Sequence, residues 1–93
     1  MLNKENKLKC NKVINSYPKE HQIMLLMEEL AELIQATSKL VRYGDTEPFL
    51  EEFADVEVML EQARQILHID SDEVNRRAEK KLRRALSGRV AHE

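Results

Sequence analysis

Residues 23–67 read IMLLMEELAELIQATSKLVRYGDTEPFLEEFADVEVMLEQARQIL. From Lys19 to Arg42 no glycine or proline interrupts the chain, which predicts one long helix over 19–42. Tyr43-Gly44-Asp45-Thr46 ends it, with Gly44 in the place of a left-handed C-cap. Thr46 is read as the N-cap of a second long helix that tolerates Pro48 in its first turn and runs to about Leu67. A connection this short predicts that the two helices pack antiparallel.

Working outward, Ser16-Tyr17-Pro18 breaks the chain upstream, and Leu8, Val13 and Ile14 before it suit a short helix. Downstream, His68-Ile69-Asp70 is a short connection. Asp70 and Glu73 have capping-box spacing for a last helix to about Leu86. The expected fold is therefore all-α: a small antiparallel helical bundle of one short and three longer helices. The expected organisation is an N-terminal arm with a short helix over 1–18, a helical domain over 19–87 and a tail over 88–93.

The chain has 93 residues, 42% hydrophobic and 34% charged. One domain is expected of that length, with a core that is thin for the entropy it must offset. Such a helical chain often gains the missing burial by self-association, so completion by homo-oligomerisation, as a homodimer or homotetramer, is expected. The net charge of −2 argues against stable nucleic-acid binding. Its distribution is uneven: residues 28–61 hold ten acids against Lys39 and Arg42, while both flanks are net basic. The single cysteine, Cys10, permits no intrachain disulfide and reads as an inert thiol of a reducing compartment. No apolar run reaches the roughly 20 residues of a membrane span, and the N-terminus lacks a signal peptide's apolar core. A cytoplasmic protein without membrane contact is expected.

The acids of the opening stretch are not all on the polar face. At about 100° per residue, Ile23, Leu26, Met27, Leu30, Leu33, Ile34 and Val41 define an apolar face, extended on one side by Leu25, Ala36 and Leu40. Glu28 falls opposite, with Gln35, Lys39 and Arg42. Glu29 projects between Ala36 and Leu40, inside the apolar arc, and Glu32 lies at its edge. In the second long helix Phe49, Phe53, Val56, Leu60, Ala63 and Leu67 form the stripe, widened by Met59 and Ile66. Glu51, Glu57, Glu61 and Arg64 point away. Glu52 falls between Met59 and Ala63, inside the stripe, and Asp55 sits at its margin. Val58 is a stray apolar residue on the polar face, while Met24 and Ala31 are marginal on theirs. All three are candidates for a dimer surface or for nothing.

Each long helix thus carries one carboxylate among core positions and another three residues later at the border. Burying an unpaired carboxylate costs several kcal/mol, roughly the whole stability of a small domain. Two compensations are open. One is pairing with the basic last helix, or plain exposure on helices less regular than the wheel assumes. The other is a divalent cation shared by Glu29, Glu32, Glu52 and Asp55. Oxygen-only ligands favour magnesium, or manganese, over zinc. His21, His68 and His92 lack the Glu-x-x-His spacing of di-iron bundles and are expected at the surface. With only Gly44 and Gly88, a glycine-rich phosphate loop is excluded.

Glu28-Glu29-Leu30-Ala31-Glu32, then 19 residues, then Glu52-Phe53-Ala54-Asp55, resembles the EExxE…ExxD pattern of the MazG-like all-α NTP pyrophosphatases. The likeness runs over residues 20–86. It implies helical bundles acting as dimers or tetramers, which cleave (d)NTPs to the monophosphate and pyrophosphate with magnesium. Carried over, Glu29, Glu32, Glu52 and Asp55 match the magnesium ligands. Glu28, with Glu29, stands at catalytic positions. The family's NxxKY pattern in the last helix is not met, since Asn75 is followed three residues on by Ala78. Lys81-Leu82-Arg83-Arg84 is closer to a KLxR form, which makes Lys81 and Arg84 the expected phosphate-binding pair. A solvated basic helix end accounts for them equally well. An aromatic such as Phe53 or Tyr17 is a weaker candidate for contact with the base. Two other readings stay open: a non-enzymatic helical dimer acting as a regulatory or interaction module, and a phosphoribosyl-ATP pyrophosphohydrolase of the same superfamily.

Overall fold

The computed structural model describes residues 1–88 and consists of four helices: α1 (Lys4–Ile14), α2 (Lys19–Tyr43), α3 (Thr46–Ile66) and α4 (Ser71–Leu86). The expected tail over 88–93 falls, after Gly88, outside the described residues. No described helix is long and apolar enough to cross a membrane.

Local chemistry places the helix ends. Asn3 caps α1, its side-chain oxygen accepting from the amide of Asn6 at 2.9 Å. Gly44 closes α2 at φ 75°, its amide donating to the carbonyl of Leu40; a side chain there would be strained. Thr46 is not a cap. It is the first residue of α3, and Asp45 takes the N-cap place without a side-chain hydrogen bond. The two-residue connection leaves Thr46 no non-helical position from which to cap. Asp70 does cap α4, but on the amide of Asp72. The expected capping box is not formed, because Glu73 turns outward to pair with Arg76 and Arg77.

α2 and α3 form an antiparallel hairpin. Leu25 lies beside Val58 and Met59, and Glu29 beside Asp55, so numbering falls along one helix as it rises along the other. The line of contact on α2 runs through Gln22, Leu25, Glu29, Leu33, Ala36 and Leu40, all buried or half-buried. Met27, Ile34 and Val41, on the far half of the expected apolar face, are exposed.

α1 packs on α3 through a polar seam. Gln65 donates to the carbonyl of Lys7 at 3.1 Å and accepts from the Asn11 amide at 3.0 Å, while also donating to Glu61 at 3.0 Å. Cys10 and Ile14 are buried beneath it. This seam corrects two expectations. Glu61 does not point to solvent: it is 7% exposed, under α1, with Arg64 3.6 Å away. Val58 is not a free patch: it is half-buried beside Leu2, Cys10 and Val13. A helix that docks through amides and carboxylates covers a face that hydropathy reads as solvent.

α4 departs from the expected bundle. None of its residues is buried, and it has no substantial contact with the other helices among the described residues. The chain is accordingly open. Among the described residues no side chain is fully buried, and the radius of gyration is 15.5 Å, against roughly 12 Å for a compact domain of this length.

Candidate metal centre

Glu29 stands on α2 one turn after Leu25 and two turns before Ala36, so the same periodicity that buries those residues against α3 points its carboxylate at the partner helix. Glu52 and Asp55 stand three apart on α3 and meet it there. One carboxylate oxygen from each of Glu29, Glu52 and Asp55 lies within 4.8 Å of the others. Glu29 and Glu52 are half-buried and Asp55 is exposed, which is the division into embedded and marginal acids expected from the wheel.

Two features make this cluster costly when empty of cations. Oε2 of Glu29 and Oε2 of Glu52 are both buried without a hydrogen-bond partner. Among the described residues no lysine or arginine forms an ion pair with Glu29, Glu32, Glu52 or Asp55. Burial, then the charges of Glu32, Asp55 and Glu52, push the Glu29 carboxyl up from an ordinary 4.5 to about 7. Glu52 is raised as well, by burial first and then by Glu32 and Asp55. The donor set is oxygen only, anionic and converging, with unsatisfied acceptors at its centre. These residues fit a hard divalent cation.

Glu32 stands beside the cluster, near enough to raise both buried carboxyls, but it is exposed and its oxygens are outside the group of three. Glu28 and Glu51 lie on the exposed sides of their helices. A shallow cleft next to the carboxylates is lined by Leu25, Glu29, Asp55, Val58 and Met59. Leu25, Val58 and Met59 were not singled out for this place. The signal for Val58 was its apolar nature on an otherwise polar arc.

The expected phosphate-binding residues are elsewhere. Lys81 and Arg84 line a shallow basic concavity on α4 with Glu73, Arg77 and Lys80, apart from the carboxylates of the same chain. Phe53 stacks at a tilt on Phe49, ring centres 5.9 Å apart, and Tyr17 is exposed between α1 and α2. Neither lines the cleft. His21 and His68 are exposed, and His92 lies outside the described residues. Burial and the charge of Glu61 push the Cys10 thiol up, away from a reactive thiolate.

Compared with protein-family models, with curated proteins and with solved structures, the chain finds no match.

Proposed function

We propose that the chain is a magnesium-dependent nucleoside triphosphate pyrophosphohydrolase that cleaves (d)NTPs to the monophosphate and pyrophosphate. The observation that carries the reading is the pair of buried, unpartnered oxygens on Glu29 and Glu52, converging with Asp55 and, among the described residues, in no ion pair with a basic side chain. The EExxE…ExxD pattern and its resemblance to the MazG-like pyrophosphatases supply the reaction class.

Glu29, Glu52 and Asp55, with Glu32 at the rim, would hold the ion. When bound, magnesium supplies neutralisation of the triphosphate oxygens and stabilisation of the charge that develops as the anhydride breaks. Glu28, on the solvent side one residue before Glu29, is the carboxylate free to order the attacking water. That water bonds to the α phosphorus, the bond from this phosphorus to the bridging oxygen breaks, and the water's proton passes to a carboxylate. Pyrophosphate leaves with the bridging oxygen. Lys81 and Arg84 are the basic groups assigned to it. Leu25, Val58 and Met59 offer the nucleoside an apolar wall.

One observation favours a second reading, a non-enzymatic helical module: α4 carries Lys81 and Arg84 away from the carboxylates of its own chain. The two separate on a panel of NTPs, dNTPs and phosphoribosyl-ATP incubated with Mg²⁺. The hydrolase releases pyrophosphate and a monophosphate from at least one of them. No product at stoichiometric protein eliminates the enzyme, and orthophosphate with a diphosphate eliminates cleavage at the α phosphorus.

A further inference from the structure

A second cavity adjoins the carboxylate cleft. It lies between α1 and α3 and has a volume of about 240 Å³. Leu2, Cys10, Val13 and Val58 give it apolar walls, Asn6 and Lys9 stand at its exposed edge, and Gln62 lines it from α3. Val58 also lines the cleft beside Glu29 and Asp55, so the two spaces meet at one side chain. Asp55, Val58 and Gln62 follow one another at spacings of three and four, which keeps them on one face of α3. From Asp55 to Gln62 is about 10 Å along the helix axis. A nucleotide whose α phosphate is held at the carboxylates spans that distance with its sugar and brings the far edge of its base to Gln62.

Gln62 is the residue that points to a ligand. It is 2% exposed, and its Oε1 is buried without a hydrogen-bond partner. The amide nitrogen is turned to the Cys10 thiol, a contact that favours the thiolate. A bare buried acceptor opposes folding unless something donates to it. The cavity's size limits what that is. It is smaller than the roughly 300–1,000 Å³ of sites that take a whole drug-sized ligand, so it suits one heterocycle with the sugar and phosphates left outside.

An acceptor that lacks a donor also discriminates. The base edge farthest from the sugar carries an amino group in cytosine and adenine, and a carbonyl at the same position in uracil and hypoxanthine. The amino group donates to Oε1. The carbonyl sets two oxygens against each other and leaves both unsatisfied. We infer that this cavity is the base subsite of the triphosphate site, where Gln62 accepts from the exocyclic amino group of cytosine or adenine. Leu2, which precedes α1 and belongs to no helix, swings aside to admit the ring. The inference rests on the nucleotide reading above, and hydrolysis and binding are measured separately so that the two fail separately.

Two substrate pairs exchange amino for carbonyl at this position: CTP with UTP, and ATP with ITP. With Mg²⁺, the wild type is expected to hydrolyse the amino-bearing member with a kcat/KM about tenfold to a hundredfold higher in at least one pair, the range set by one buried acceptor satisfied or left bare. Gln62→Met, which keeps the length of the side chain, is expected to lose the preference, chiefly through a higher KM for the amino-bearing member, and to keep its melting temperature. Equal or reversed rates in both pairs, or a preference unchanged in Gln62→Met, overturn the inference and leave the hydrolase reading standing. Binding is followed by calorimetry with the α,β-methylene analogues of the same four triphosphates, which cannot be cut at that bridge. Tighter binding of the amino-bearing analogue in either pair, with methyl resonance shifts at Val13 and Val58, supports the subsite even in a protein that cleaves nothing. Equal binding in both pairs, binding that leaves those methyls unmoved, or no binding overturns it. The wild-type comparisons decide the matter even where the variant does not fold.

Discussion

Glu29 of α2 and Glu52 of α3 face one another across the hairpin, each with one buried oxygen that accepts no hydrogen bond. In a domain with so little core, two such groups oppose folding unless a cation or a proton satisfies them.

That conflict has a pH signature. The Glu29 carboxyl sits at about 7 in the folded chain against an ordinary 4.5, so the folded state holds its proton more tightly than the unfolded one. Its stabilising contribution is complete below about 4.5 and is lost as pH rises through about 7. Glu52 is shifted in the same direction. Without divalent ions the melting temperature should therefore fall between about pH 5 and about pH 8, and Glu29→Gln should flatten the fall. Magnesium should stabilise the wild type more at the upper pH, where its ligands are deprotonated. A melting temperature that rises over this window without metal would contradict the burial of Glu29.

Glu52→Gln keeps the size of the side chain and removes its charge. It should abolish nucleotide hydrolysis, leave the far-ultraviolet helical signal intact and slightly raise metal-free stability at neutral pH. Kinetic assay and circular dichroism on the same preparation check all three. Full activity in this variant would remove Glu52 from the site.

The end of α3 contains a second testable feature. His68 adopts φ 52°, and the Ile69 amide donates to the Arg64 carbonyl at 3.0 Å, closing the helix with a left-handed residue that is not glycine. His68→Gly should stabilise the chain by about 0.5–1 kcal/mol, and Gly44→Ala should cost about 1 kcal/mol. Urea denaturation measures both.

Gln65 bridges α1 to α3 through Lys7 and Asn11. Gln65→Ala should cost about 0.5–1.5 kcal/mol and speed amide exchange in α1 more than in α2.

How much of this was legible in the sequence depended on what kind of contact was made. Gly44 and Pro18 punctuate the chain by backbone chemistry, so the long helices were readable to within a residue or so. The all-helical class followed from the same reading. The division of Glu29 and Glu52 from Glu28 and Glu51 was readable too, because contact between two apolar stripes follows helical period. The α1 seam was not. It is made by Gln65, Asn11 and Glu61, which look like solvated residues to any pattern built on hydropathy. The detachment of α4 was equally hidden. Signals such as Asp70 announce a helix and place its start, but they do not say which surface, or whose, the helix packs on.

The central claim, that these carboxylates hold a divalent cation, is tested most directly by titrating Mn²⁺ into the nucleotide-free protein and following the free-ion signal by electron paramagnetic resonance. The wild type should remove Mn²⁺ from solution, saturate at a whole number of ions per chain and release them to excess Mg²⁺, while Glu29→Gln and Glu52→Gln should each lose this binding. Equal Mn²⁺ uptake by wild type and both variants, or none by the wild type at millimolar ion, would contradict it.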